Sequence, residues 1–309
     1  MSTKKVKADW NRENDASILE TYNIVTGERK VLKEFPFLIE APNWSLDGKF
    51  LVYNSKGRIY KYILETGETE EVYTGEAITC NNDHVLAADG SGVAVSHMVK
   101  DDSPVAFGGR VSTVYKCYFD GREPERITEP SWGHSFLHGW SPDGKTYVYC
   151  AFRDMTHGAD IYAYTPGEKE VQLTNAEGLN DGPEYDCKGE YIYFNSVRTG
   201  LMQAWRMKAD GSEQTQLTFD EEWNTWFPHI SPDREKIVTV AYKKGDLLPG
   251  EHLPHKFVEL RLMKADGSDV KTVVELFGGQ GTINVNSWNP DSTEFAFVSY
   301  RLPDEAFED

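Results

Sequence analysis

The sequence has few cysteines, and none is arranged to bind a metal. Cys80, Cys117, Cys150 and Cys187 stand alone, with no CxxC spacing and no neighbouring histidine at ligand spacing. This pattern argues against a structural zinc site. No apolar segment follows the basic start of residues 1–10, so no signal peptide is predicted. We therefore expect free thiols and a cytoplasmic location, because disulfides are rare in reducing compartments.

The sequence also lacks a long apolar run and an excess of positive charge. No run of about eighteen apolar residues occurs, so no membrane span is predicted. The 309 residues include 50 Asp and Glu but only 32 Lys and Arg, which gives a net charge of −18 at pH 7. Such a charge repels phosphate backbones and anionic lipid, so we expect neither a nucleic-acid nor a membrane partner. With 39% hydrophobic and 13% aromatic residues, the chain is too apolar to be disordered.

A short motif is repeated along the chain. Turns of the Ser-Pro-Asp-Gly type each precede an apolar run, and their fourth residues are Asp47, Asp89, Asp143, Lys188, Asp233 and Asp291. A second series of turns lies between them, at Thr26-Gly27, Thr66-Gly67, Asp120-Gly121, Pro166-Gly167, Asp210-Gly211 and Asp266-Gly267. Each turn joins two runs of β-branched or aromatic residues, which is the pattern of an antiparallel hairpin. Four strands every ~40–50 residues, A and B around the first turn and C and D around the second, are typical of a β-propeller blade.

The order of the motifs at the chain ends predicts how the ring closes. The chain starts with a C–D hairpin at 17–33 and ends with an A–B hairpin at 285–300, and together these make one shared blade. We therefore predict an all-β fold, a six-bladed β-propeller of four-stranded antiparallel blades in a single domain, 1–309. Residues 1–16 and the acidic residues 303–309 form its terminal tails. The other five blades are predicted at 43–74, 84–128, 138–174, 183–218 and 228–276.

The repeats resemble those of TolB-like propellers. The stretch LTNAEGLNDGPEYDCKGEYIYFNSVRTGLMQAWRMKADGSEQTQLT (173–218) is similar almost throughout, as are 223–233 and 276–292. The resemblance implies the propeller fold. Periplasmic TolB itself adds an amino-terminal α/β domain and an export signal and works as a partner-binding scaffold. Because neither addition is visible in this sequence, we expect a propeller-only member and do not carry that role over.

Propeller geometry divides the connections between two faces of the ring. The A–B and C–D turns lie on one face, here called the turn face, and the D–A and B–C connections lie on the other, here called the loop face. The long segments all fall on the loop face. Because long loops on a rigid scaffold carry most binding residues, we predict the ligand site there.

Three polar side chains are predicted to meet at the mouth of the central channel. His138, Glu184 and His229 each lie at the end of strand A, in three consecutive blades. Histidine with carboxylate can bind a divalent metal, run acid–base chemistry or orient a ligand. The alternative is that these groups line the channel and hold water. No cofactor is predicted outright, and a divalent metal at these three residues is left open.

An aromatic segment is the second candidate for ligand binding. Trp223, Asn224 and Trp226 lie directly before His229, and aromatic faces beside polar groups suit saccharides. The alternative is that Trp226 packs between blades.

Arginines and amides complete the candidate set. Arg153 and Arg198 follow strand B in two blades, where they can hold an anion or pair with neighbouring acids. Gln280, Asn284 and Asn286 follow a glycine-rich turn and are predicted to supply hydrogen bonds.

Two functions follow from these residues. The first is a non-catalytic propeller that binds a small polar ligand, a saccharide among them, or a protein partner on the loop face. The alternative is a carbohydrate lyase or hydrolase, because oligogalacturonate lyases have related repeats and bind a metal through His and Gln near the channel. In this chain Asn284 and Asn286 stand where histidines would be needed, which weakens that alternative.

Overall fold

The computed structural model describes residues 5–153 and 158–308. Residues 1–4 of the predicted amino-terminal tail, 154–157 of the predicted blade at 138–174, and 309 of the carboxy-terminal tail lie outside the described residues. Apart from three 3-10 helices, the regular structure of the described part is all strand. Within that part, no helix is long and apolar enough to cross a membrane.

The strands alternate with short turns along the chain. In chain order they are β1 (Ala16–Asn23), β2 (Arg29–Phe35), β3 (Glu40–Trp44), β4 (Phe50–Ser55), β5 (Arg58–Ile63), β6 (Thr69–Glu71), β7 (Cys80–Leu86), β8 (Gly92–Lys100), β9 (Arg110–Tyr118), β10 (Glu125–Arg126), β11 (His134–Trp140), β12 (Tyr147–Phe152), β13 (Gly158–Tyr164), β14 (Val171–Gln172), β15 (Gly178–Tyr185), β16 (Tyr191–Ser196), β17 (Gln203–Lys208), β18 (Thr215–Gln216), β19 (Trp223–Ile230), β20 (Lys236–Lys243), β21 (Pro254–Lys264), β22 (Lys271–Gly279) and β23 (Glu294–Arg301). The 3-10 helices are Arg12–Asn14, Pro130–Trp132 and Asp304–Ala306.

The repeated turns form because their own side chains satisfy the backbone. In the turn between β11 and β12, Ser141 Oγ accepts hydrogen bonds from the amides of Lys145 (3.2 Å) and Thr146 (2.8 Å). The same hydroxyl donates to Asp143 Oδ1 at 2.6 Å. Because all of these partners lie within five residues of the serine, the motif specifies the hairpin locally.

The strands form five hydrogen-bonded sheets. Three have four strands each, β3–β6, β7–β10 and β19–β22; one has eight, β11–β18; and one has three, in the order β2-β1-β23. The prediction of a six-bladed propeller with four strands in every blade is therefore wrong. The described strands form an all-β propeller arrangement with four sheets of four or more strands, completed by a three-stranded sheet.

Two local features account for this difference. Gly158 and Gly178 form a parallel bridge between β13 and β15, which joins two predicted blades into the eight-stranded sheet. A Cβ at Gly158 would lie 2.5 Å from Gly178 O, so the contact requires glycine. In the last predicted blade, the segment at 285–288 forms no strand; Trp288 makes a single bridge to Phe295.

The two ends of the described chain share one sheet. β1 pairs antiparallel with β23 over eight residue pairs, from Ala16↔Arg301 to Asn23↔Glu294. This is the pairing that the order of the motifs predicts for the terminal hairpins. It completes the arrangement through backbone hydrogen bonds and covers strand edges that would otherwise be open.

The inner strands carry bulges beside the channel. The register breaks between Glu40 and Asn43 in β3, between Asp181 and Glu184 in β15, and between Trp226 and His229 in β19. The residue after each first break point has a left-handed backbone: Ala41 (φ 54°), Gly182 (φ 61°) and Phe227 (φ 51°). Such bulges turn side chains that a regular strand would point elsewhere.

Candidate ligand-binding site at the loop face

The channel contains a cavity at its loop-face end. Its volume is about 260 Å³, near the lower end of the usual range for ligand pockets. The B–C loop before β21 supplies His252, and the D–A loop after β22 supplies Gln280. The inner strands β7, β11 and β15 supply Asp83, His138 and Asp181.

His138 lies between two carboxylates. Its Nε2 is 3.4 Å from Asp181 Oδ1 and 3.7 Å from Asp83 Oδ1, and the residue is 7% exposed. Within the described residues, the imidazole makes no hydrogen bond. His252 Nε2 approaches the same site, 3.8 Å from Asp181 Oδ2. Asp83, His138, Asp181 and His252 are here called the open cluster.

Burial shifts the pKa of two residues of the open cluster, Asp83 and His252. It raises the pKa of Asp83 to about 6, an effect that nearby Asp181 reinforces and nearby His138 opposes. Asn81 Nδ2 donates to Asp83 Oδ2 and favours the charged form. Burial also lowers the pKa of His252, because a buried imidazolium loses its hydration.

Phenylalanines form the apolar wall of the cavity. Phe107, Phe136 and Phe152 line it together with Leu179. The Phe107 and Phe152 rings pack edge to face at 5.4 Å, and Phe107 also stacks on His134 at 4.0 Å. The cavity therefore combines acidic groups with an aromatic surface.

A second polar cluster lies deeper in the channel. Glu184 Oε1 accepts hydrogen bonds from Asn286 Nδ2 (2.5 Å) and from the Ile230 amide (3.2 Å). Glu184 Oε2 lies 2.6 Å from His229 Nδ1, and His229 Nε2 lies 2.9 Å from the Ile283 carbonyl. Glu184, His229 and Asn286 are here called the closed cluster.

The closed cluster shares one proton between acid and base. The Ile283 carbonyl can only accept, so His229 Nε2 carries a hydrogen. A second proton must then lie between His229 Nδ1 and Glu184 Oε2, on one atom or the other. Both histidine nitrogens and both carboxylate oxygens are occupied, so this pair has no free atom to offer a substrate.

The Phe227 ring stacks on one histidine from each cluster. Its centroid is 5.5 Å from that of His138 and 6.4 Å from that of His229, nearly parallel to both. The sequence predicted that His138, Glu184 and His229 meet at one point. The structure pairs Glu184 with His229 and places His138 next to Asp83 and Asp181, although His138 and Glu184 both line a second, larger cavity of the channel. In the described part of the chain, no three His, Cys, Asp or Glu side chains are grouped to hold a metal ion.

A larger cavity lies at the turn-face end of the channel. Its volume is about 390 Å³, and its walls include Leu46, Trp140, Pro142 and Trp288. No site was predicted on this face, because two-residue turns offer few side chains. The turns instead surround an apolar depression, because five of the six motifs bring an aromatic or proline residue to its wall: Trp44, Trp140 with Pro142, Tyr185, Pro232 and Trp288.

The sequence and the fold of this chain are similar to those of known proteins. The model of the TolB beta propeller domain matches residues 103–253. An uncharacterised protein from Agrobacterium fabrum is 43% identical over 286 residues, which cover 92% of each chain. A solved structure from Agrobacterium tumefaciens, provisionally named TolB, is 43% identical with a TM-score of 0.85 and covers 94% of this chain and 99% of that one.

This chain belongs to the TolB-like propeller family. The crystal structure of TolB from Acinetobacter baumannii is more distant, at 18% identity and a TM-score of 0.64, covering 87% of this chain and 66% of that one. At that identity the likeness supports the fold alone.

The predicted aromatic segment is mostly interior in this TolB-like propeller. Trp226 is fully buried and packs on His252 at 4.4 Å, and Asn224 Oδ1 accepts from the Met202 amide at 2.9 Å. Trp223 is half-buried beneath the Arg261 guanidinium, which lies 4.3 Å from the ring centroid. None of the three lines the loop-face cavity.

The predicted arginines are engaged by neighbouring side chains. Arg153 pairs with Glu170, and Arg198 donates to Gln214 Oε1 (2.6 Å) and Asn180 Oδ1 (2.7 Å). Neither lines the loop-face cavity.

The predicted amides have three different surroundings. Gln280 lines the loop-face cavity. Asn284 Oδ1 caps the Gly281 amide at 2.7 Å, and Asn286 belongs to the closed cluster.

Three residues of the open cluster were not predicted from the sequence. Asp83 and Asp181 were not candidates because only the two positions before each motif were expected to face the channel, and His252 was not one because its proline-rich loop was expected to be solvated. The bulges in β7 and β15 bring earlier residues inward. The tripeptide Asp181-Gly182-Pro183 was the available signal, since glycine followed by proline inside a strand marks a break.

Proposed function

We propose that this TolB-like propeller is a non-catalytic binding protein that holds a small polar ligand in its loop-face cavity. One observation supports this most strongly. His138 is more than nine-tenths buried, lines the cavity and contacts only the carboxylates of Asp181 and Asp83, at 3.4 and 3.7 Å, and beside it the buried Nδ1 of His252 has no hydrogen-bond partner within the described residues. Buried polar groups are almost always hydrogen-bonded, so an unpaired one facing a cavity indicates an absent partner.

The closed cluster supports binding over catalysis. A general acid or base must reach the substrate with its reactive atom. Glu184 and His229 instead use their reactive atoms on each other, on Asn286 and on backbone groups. This acid–base pair is thus committed to holding the channel together.

A thermal-shift screen of small polar compounds tests this function. A ligand that binds only the folded protein at about a hundredfold excess over Kd should raise Tm by about 5 °C. The shift should disappear in His138→Ala and remain in the control His97→Ala, whose side chain does not line the cavity. A screen in which every stabilising compound acts equally on His138→Ala would overturn the proposal.

A protein partner on the same face is the second candidate function. Leu248 in the B–C loop is 68% exposed, and Phe107 at the cavity rim is 39% exposed. A relative from Desulfosudis oleivorans, 27% identical over 38% of this chain, is named a Tol-Pal system protein. A stoichiometric partner that co-purifies with wild type and with the turn control Val25→Asp, but not with Leu248→Asp, would support it.

A further inference from the structure

Apart from histidines, the charged side chains that line the loop-face cavity are all acidic. Asp83 and Asp181 line it, and no lysine or arginine does so within residues 5–153 and 158–308. Neither carboxylate has a cationic partner other than a histidine there. An ion that enters this space must therefore carry positive charge, because a buried anion beside two carboxylates would be repelled.

The chain itself places a cation beside this cavity. Arg12, from the segment before β1, donates to Glu40 Oε1 at 2.6 Å and to the Gln280 carbonyl at 2.5 Å. Its guanidinium also lies 5.3 Å from the centre of the Tyr300 ring. Carboxylate, carbonyl and aromatic ring thus hold an organic cation at the same end of the channel.

The Arg12 site and the open cluster are adjacent. Glu40 accepts a hydrogen bond from Asn82 at 3.4 Å, and Asn82 lines the cavity. Glu40 is thus paired with Arg12, whereas Asp83 and Asp181 have no arginine or lysine partner within the described residues. Like the Arg12 site, the cavity combines carboxylates with aromatic rings, here Phe107, Phe136 and Phe152.

The aromatic wall of the cavity favours an organic cation over a bare metal ion. Phe107, Phe136 and Phe152 offer only ring carbons, which do not ligate metals. The same rings attract an ammonium group through their faces and bury the hydrocarbon attached to it. The cavity is also too small for a large ligand.

We propose that the loop-face cavity binds a small organic ammonium ion, with its nitrogen on the cavity side of the Asp83 and Asp181 carboxylates, beside His138, and its hydrocarbon against the phenylalanines. This inference rests on the proposed function and names the ligand class of the same site. His138 and His252 complete the polar side of the site. The net charge of −18 would also concentrate such cations near the protein.

Calorimetric titration with benzylammonium and n-butylammonium chloride tests the inference. We expect Kd below about 1 mM for at least one of them, and binding at least about tenfold weaker for benzyl alcohol, which has the same ring without the charge. Asp181→Asn and Asp83→Asn should each weaken ammonium binding by about tenfold or more. Asp143→Asn is the matched control, because it removes one exposed charge at the turn face and should change Kd less than about twofold.

Three results would overturn the inference. The first is that neither ammonium ion binds with a Kd below about 10 mM, and the second is that benzyl alcohol binds as tightly as benzylammonium. The third is that Ca²⁺ or Zn²⁺ binds in place of the ammonium ion and that this metal binding is lost in Asp181→Asn. The proposed function fails separately. If neutral polar compounds stabilise wild type but not His138→Ala while the ammonium ions do not bind, the cavity is a ligand site of another chemical class.

Discussion

The closed and open clusters are built from the same residue types and differ in how fully their atoms are paired. In the closed cluster, Glu184 accepts three hydrogen bonds or ionic contacts, and both nitrogens of His229 are used. In the open cluster, His138 has only two carboxylates at 3.4 and 3.7 Å. One phenylalanine ring, that of Phe227, packs against a histidine of each cluster.

This difference separates a structural role from a binding role. A buried acid–base pair with every atom satisfied contributes to stability, and removing one member leaves a charge or a donor unpaired. A buried group without a partner lowers stability until a ligand supplies one. Residue type alone does not distinguish the two roles. The number of side-chain nitrogen and oxygen atoms that already have a hydrogen-bond partner does.

Removing His229 should have the largest effect. His229→Ala leaves Glu184 and the Ile283 carbonyl without their partner, so we expect a loss of about 3–5 kcal/mol in the free energy of unfolding. His138→Ala is the matched comparison and should cost only about 1–2 kcal/mol, since it breaks no hydrogen bond within the described residues. Urea unfolding of both variants measures the difference. Equal losses would remove the distinction between the clusters.

Neutralising Asp83 should raise the free energy of unfolding, whereas removing His229 should lower it. Its pKa is raised to about 6, so between its unfolded value and pH 6 the unfolded chain gives up a proton that the folded protein still holds. Stability is therefore lost as pH rises through this window, and the charged carboxylate is a cost at pH 7.5. We expect Asp83→Asn to stabilise the ligand-free protein by about 1–2 kcal/mol at pH 7.5 and to have little effect near pH 3.5.

Thermal or urea unfolding at the two pH values checks this prediction. Glu184→Gln is the control from the closed cluster and should destabilise at pH 7.5, because its carboxylate is fully paired. A destabilising Asp83→Asn at pH 7.5 would show that the Asp83 carboxylate already has a stabilising partner in the folded protein.

The binding of an ammonium ion should weaken in acid. As pH falls through about 6, Asp83 takes up a proton and the cavity loses one of its two carboxylates, while Asp181, His138 and His252 remain around it. We expect Kd for benzylammonium to rise by about tenfold between pH 7.5 and pH 5. The same titration on Asp83→Asn should be weaker throughout and much flatter with pH. A pH-independent Kd in wild type would contradict this assignment.

Two kinds of feature could be predicted from sequence: local turns, and the pairing of the two terminal hairpins that had no other partner. The hairpin turns follow from contacts within five residues, as Ser141 and Asp143 show. The pairing of β1 with β23 follows from the motif order, which left one unpaired hairpin at each end of the chain. Both are visible without knowledge of neighbouring sheets.

The features that could not be predicted depend on contacts between distant segments. The bridge between Gly158 and Gly178 fuses two sheets, and no local pattern indicates it. The bulge that turns Asp181 toward the channel contains Gly182. A Cβ at this position would lie 2.7 Å from Asn195 Oδ1 and 2.8 Å from Phe227 Cδ1, so these distant segments require glycine there. A one-residue displacement of an inner strand decides which carboxylate lies beside His138, so the sequence pattern could not indicate that Asp181, and not Glu184, does so.

The smallest expected effect tests whether the two clusters act independently. Asp83 contacts Asn81 and His138, whereas Glu184 contacts His229 and Asn286, so the two carboxylates have no common hydrogen-bond partner. In a double-mutant cycle of Asp83→Asn and Glu184→Gln, the coupling in the free energy of unfolding should stay below about 0.5 kcal/mol. A coupling above about 1 kcal/mol would mean that the channel carboxylates form one continuous network, as their positions in the sequence suggest. Independence would instead allow the open cluster to change its charge and its ligand without loss of the fold.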